Sequence, residues 1–124
     1  MKMSVLEMRN AIKDISFYTD VGSAADMPTL FHKLTLVENA LRDLKTQFPT
    51  DTWIPGLGLG LAQAFLKLHV GDAAVRANDA SDWVIADYPR SSQAIFAKGL
   101  RRATSAVASG MDPVPLEPTI TLRP

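Results

Sequence analysis

Residues 40–49 read ALRDLKTQFP, and residues 80–89, forty positions further on, read ASDWVIADYP. Each copy starts on alanine, carries apolar residues at helical steps and ends on an aromatic residue followed by proline. Proline stops a helix because its ring removes an amide donor and drives the preceding residue out of the helical region. A second apolar helical pattern follows each stop and contains a glycine-leucine pair, Gly58-Leu59 in one copy and Gly99-Leu100 in the other. Such punctuation is that of helical hairpins stacked one on the next.

Upstream of the first copy, Ser4 and Glu7 form a capping-box pattern, and Val5, Met8, Ile12 and Ile15 recur at three- and four-residue steps. They predict a helix from about Val5 to Tyr18. Asp20, Gly22 and Ser23 break it, and Pro28 starts a long second helix to about Gln47 along the stripe Leu30, Leu34, Val37, Leu41, Leu44 and Phe48. A third helix is expected from near Pro55 to His69, its start weakened by Gly56, Gly58 and Gly60. Gly71 is placed to end it in a left-handed conformation and Asp72 to cap the next helix. The fourth, about Ala73 to Asp87, turns Ala73, Ala77, Ala80 and Val84 inward, small enough for close packing. Ser91 can cap a fifth, carrying Phe96, Leu100, Ala103 and Val107 and ending at Gly110. Trp53, Trp83, Phe31 and Phe65 are expected in the core. Met111 to Pro124 holds four prolines and the strand-like alternation Thr119, Ile120, Thr121, Leu122, so it reads as an extended arm or tail.

The region from about Ala40 to Ala108 resembles the tetratricopeptide repeat, a family of stacked helical hairpins. Ala77 with Pro89 twelve residues later, Gly58 and Gly99 in the helices after each proline, and the Gly71-Asp72 turn carry the resemblance. The forty-residue spacing exceeds the 34 of that family. The resemblance implies a concave groove that binds a peptide or protein, and it carries over no catalytic residue. Two units are fewer than the three or so such arrays need, so the first two helices, the tail or another subunit must complete the core. The expected fold is thus all-α. About five helices over residues 1–110 would form antiparallel hairpins, in a TPR-like stack or an irregular bundle, and residues 111–124 a proline-rich arm.

Composition narrows function mainly by exclusion. Thirteen basic and thirteen acidic residues leave no net charge, and no block of like charge marks a nucleic-acid or anionic-lipid surface. With no cysteine, thiolate metal sites, iron-sulfur clusters, disulfides and cysteine nucleophiles are ruled out, and a reducing cytoplasmic setting is expected. The longest uncharged stretch, Thr52 to Leu66, contains Pro55 and three glycines and is shorter than the roughly 20 apolar residues a membrane helix needs. Neither a signal peptide nor a membrane partner is expected.

Candidate sites are few. The glycines at 56, 58 and 60 match neither phosphate-binding pattern, so no cofactor is expected and close packing explains them better. His32 and His69 lack a second histidine at zinc spacing, and no serine-nucleophile motif occurs. Asp79 and Asp82 could share a helix face, with Arg76 three residues before Asp79 compensating charge. Lys98, Arg101 and Arg102 form the one basic cluster, at steps of three and four. With Ile120 and Leu122 of the arm, these three are the candidate interaction residues. Their expected role is contact with another protein, as a non-catalytic module or small adaptor. The alternatives are a homo-oligomer that self-assembles through its arm, and a small helical ligand-binding protein or enzyme using Asp79, Asp82 or His69.

Overall fold

The computed structural model describes residues 3–20 and 27–108, with side chains to residue 103. Its order is α1 (Val5–Asp20), α2 (Met27–Gln47), α3 (Ile54–Lys67), α4 (Ala73–Asp87) and α5 (Ser92–Ala108), with no strand among the described residues. The all-α expectation and the five helices hold. The arm at 111–124, with Ile120 and Leu122, lies outside the described residues.

Local chemistry sets most helix ends. At α1 the Ser4 amide donates to Glu7 Oε1 at 2.9 Å and the Glu7 amide to Ser4 Oγ at 3.1 Å, a complete capping box. The Ala94 amide donates to Ser91 Oγ at 3.2 Å, as expected of an α5 cap. Gly71 has φ +53°, the left-handed conformation, with the Phe31 ring about 3.6 Å from where a Cβ would stand. Two expectations fail beside it. The third helix stops at Lys67, not His69, because Leu68 is already extended. Asp72 occupies the N-cap position of α4 but makes no cap bond; its Oδ1 accepts instead from Arg76 Nε at 2.9 Å.

Apolar α3 packs against every other helix and buries Ile54, Leu57, Leu61, Ala62, Ala64 and Phe65. Helix directions follow from which residues meet. Asp20 pairs with Lys67 and Ile12 lies beside Gly60, so α1 and α3 run the same way. Glu38 meets Arg76, Arg42 meets Asp79 and Lys45 meets Asp87, so α2 and α4 also run together. Gly58 faces Trp83 and Val84 while the Ala73 amide bonds back to Val70, so α3 and α4 are antiparallel. The predicted inward stripe of α4 is fully buried. Its alanines, with Gly58 opposite, bring α3 and α4 close: a Cβ on Gly58 would stand 2.5 Å from the Trp83 ring.

Where the expected stripes depart from the structure, the reason is local. Phe48 is exposed because the stripe of α2 loses its cover after Leu44. Trp53 is half exposed at the start of α3, and Trp83 and Phe31 are only partly buried, whereas Phe65 is fully buried. In α5 the expected stripe splits: Phe96 and Ala103 are exposed and Leu100 is half-buried against the core, while Ala94 and Ala97 are fully buried. Both sets have helical spacing, and the smaller side chains win because they let α5 approach α3 and α4 closely. The two aromatic-proline stops touch: the Tyr88 hydroxyl donates to the Pro49 carbonyl at 2.7 Å.

Candidate functional site

The two broad sides of the stack differ in chemistry. Along α2 and α4, charge is consumed internally. Glu38, 3% exposed, is held by the Arg76 guanidinium, with Arg42 at 3.6 Å. Arg42 reaches on to Asp79 at 3.2 Å, and Lys45 pairs with Asp87 at 2.6 Å while lying 5.3 Å from the centre of the Trp83 ring. The Asp72 carboxylate on its Nε holds the Arg76 pKa above the usual value; burial opposes this and the charge of Glu38 adds to it. Burial likewise raises the Tyr88 phenol, so it stays a hydrogen-bond donor to Pro49. The result is a zipper of side chains that ties α2 to α4.

The other side is open. Gly56 and Gly60, four residues apart, and Gln63 form a floor of α3 with little side-chain cover. Helix α1 bounds it on one side and α5 on the other. Gly60 also lets α1 settle close, since a Cβ there would lie 3.3 Å from Ile12. Two cavities lie on this floor, and a third adjoins it at the end of α3 beside α4 and α5. The first, about 400 Å³, is lined by Arg9, Thr52, Trp53, Gly56, Leu57 and Gln93. The second, also about 400 Å³, is lined by Ser16, Gln63, Leu66, Lys67 and Leu100. Leu66 joins it to the third, about 390 Å³ and largely apolar, which includes Phe65, Val70, Ala74 and Ala103.

The two cations along this groove differ in state. Lys67 is neutralised by Asp20 at 2.8 Å. Arg9 has no carboxylate partner among the described residues; its guanidinium lies 5.9 Å from the centre of the Trp53 ring, over the entrance to the first cavity. A cation over an indole is held by the ring's negative face while its N–H groups stay free to bind an anion.

The sequence-derived candidates are dispersed. Arg101 is not free: its Nε lies 2.7 Å from Asp82 Oδ1. Lys98 and Arg102 are exposed on α5 with no ion pair among the described residues. Asp79 and Asp82 are drawn to opposite neighbours, Arg42 on α2 and Arg101 on α5, so they form no shared carboxylate site, and Arg76 compensates Glu38 and Asp72 instead of Asp79. His69 lines the third cavity and His32 is exposed on α2; no group of three or more potential metal ligands occurs among the described residues. No described helix is long and apolar enough to cross a membrane.

Two features escaped sequence reasoning. The buried ion-pair network was missed: the four-residue spacing of Glu38 and Arg42 is a signal for half of it, but Arg76 lies too far along the chain for any local pattern to join it. Arg9 carries no distinguishing signal in the sequence, because only the fold brings Trp53 and Gln93 beside it. No protein family, characterised protein or solved structure matches this chain.

Proposed function

We propose that the protein is a non-catalytic interaction module that holds an acidic, partly apolar segment of another protein in the groove along α3. The two cavities between α1 and α5, with the third adjoining them at the end of α3 beside α4 and α5, are the observation that carries this reading. Each cavity has the volume of a small-ligand pocket, and together they form a track for successive side chains of one extended segment. Arg9 supplies the chemistry at one end: an unpaired guanidinium forks onto a carboxylate, with Thr52 and Gln93 able to donate alongside it. The apolar third cavity takes a hydrophobic side chain at the other end. The α2-α4 side offers little to a partner, because its charges are already matched.

A displayed library of random peptides, panned against the full chain, tests this directly. Selected peptides should be enriched in Asp or Glu at a fixed distance from an apolar residue. Their binding should fall at least about tenfold with Arg9→Glu, as expected for a charge-assisted contact turned repulsive, and should be blocked by Gly56→Trp, which fills the first cavity. Peptides that bind both variants as well as the wild type, or a library that yields no acidic enrichment, would remove the groove from this role.

A further inference from the structure

Five of the exposed large apolar side chains sit on the two outermost helices: Leu6, Phe17 and Tyr18 on α1, and Ile95 and Phe96 on α5, from 45% to 69% exposed. These helices flank α3 and do not cover one another's outer sides. On α5 the arrangement is inverted relative to an ordinary surface helix, with alanines inward and the larger Ile95 and Phe96 outward. Gly99 lies one turn further along the same face, four residues after Ile95 and three after Phe96, and a Cβ there would meet nothing within 4 Å. A bare glycine one turn beyond two large apolar residues leaves a notch that a second helix can enter.

Charge distinguishes the two ends. Lys98 and Arg102, four residues apart, edge the apolar strip of α5. Glu7 and Asp14, seven residues apart, edge the strip of Leu6 and Phe17 on α1, with Lys13 on its opposite edge. All five edge charges are exposed and none is ion-paired among the described residues. One end is therefore apolar with a basic edge, and the other apolar with an acidic edge.

We infer that the partner at each end is a second copy of this chain, joined head to tail with the α5 face of one copy against the α1 face of the next. Apolar strips meet at the centre while Lys98 and Arg102 oppose Glu7 and Asp14. Helix α5 carries no carboxylate of its own and the neighbouring Asp82 is already paired with Arg101, so charge selects the heterologous arrangement over the two-fold one. Such an interface leaves each pair with a free head and a free tail, so it adds copies beyond the dimer. The groove lies between the two ends, so this assembly neither requires nor blocks its occupation.

Sedimentation velocity on the full chain, from micromolar to millimolar concentration, gives the test. The wild type should show a mass that keeps rising with concentration instead of stopping at a dimer. Leu6→Asp with Phe17→Asp blocks the head, and Ile95→Asp with Phe96→Asp blocks the tail; these residues are exposed, and circular dichroism checks that each variant stays folded. Each should be monomeric alone, and an equal mixture should form a one-to-one dimer and nothing larger. Lys98→Glu with Arg102→Glu should weaken self-association about tenfold, and mixing with Asp14→Lys should restore association beyond a dimer, since the reversed ends attract each other and each variant keeps one native end for the other. A wild type that is monomeric throughout, a blocked variant that dimerises alone, or a mixture that stays monomeric overturns the inference.

Discussion

Three glycines of α3 provide a controlled test of the packing, because one substitution has three outcomes on one helix. Glycine to alanine inside a helix stabilises by roughly 0.5–1 kcal/mol through backbone entropy alone. At Gly56 the added Cβ would stand 3.8 Å from Gln93 Nε2, an ordinary contact, so Gly56→Ala should gain about 0.5–1 kcal/mol. At Gly60 the Cβ would lie 3.3 Å from Ile12 Cγ2, a mild compression that should cancel most of the gain. At Gly58 it would stand 2.5 Å from the Trp83 ring and 2.7 Å from Val84 Cγ2. The tip of the Trp83 ring can tilt, since that side chain is only partly buried, but Val84 is fully buried and held by its own helix. Forcing a methyl group into such a contact costs about 1–3 kcal/mol, so Gly58→Ala should be net destabilising. Urea unfolding followed by circular dichroism measures all three, and for a chain of this size about 1 kcal/mol moves the melting temperature by roughly 4 °C. Equal stability of Gly58→Ala and Gly56→Ala would refute the close α3-α4 approach on which the fold depends.

Arg76→Leu should destabilise by about 2–4 kcal/mol, below the roughly 3–5 of a fully broken buried pair because Arg42 remains near Glu38, and adding Glu38→Leu should recover most of the loss in the same unfolding assay. Tyr88→Phe should cost about 1 kcal/mol at neutral pH through the lost bond to Pro49. Because the native phenol has a raised pKa, its contribution is complete below the ordinary value of about 10 and is lost as pH rises through the higher native value. Thermal melts at alkaline pH should therefore decline more steeply for the wild type than for Tyr88→Phe. On α5, Phe96→Ser should change stability by no more than about 0.5 kcal/mol, whereas Ala97→Leu should cost about 1–3 kcal/mol. The reverse order would mean that the helix is turned the other way.

Helix existence was legible in the sequence wherever one stripe dominated. Met8, Ile12 and Ile15, or Leu30, Leu34, Val37 and Leu41, leave a helix only one apolar side to bury, and the structure buries those residues. Chemical punctuation was legible too, in the Ser4-Glu7 box, the Ser91 cap and the left-handed Gly71. Orientation failed where two stripes competed. In α5 the alanines at 94 and 97 and the expected stripe through 96, 100 and 103 are both periodic, and the close approach of neighbouring helices buries the alanines while leaving only Leu100 of the other stripe half-buried. Asp72 shows the same limit for polar groups: its carboxylate suits a cap, but the Arg76 guanidinium on the next turn is a stronger partner than a backbone amide. The groove was legible least, because it consists of missing side chains on α3 and of residues from α1 and α5 that only the fold assembles. The forty-residue echo nonetheless has a physical counterpart, since its two stops meet through Tyr88 and Pro49.

The most direct measurement of the functional account is an amide chemical-shift map of the full chain titrated with an acidic-apolar peptide selected by panning. The account predicts saturable shifts concentrated on residues 56–67 of α3 and on the facing positions of α1 and α5, with Arg9 and Gln93 among the largest, and little change along α2. Shifts centred on the Glu38, Arg42 and Arg76 zipper, or spread evenly over the surface without saturation, would contradict it.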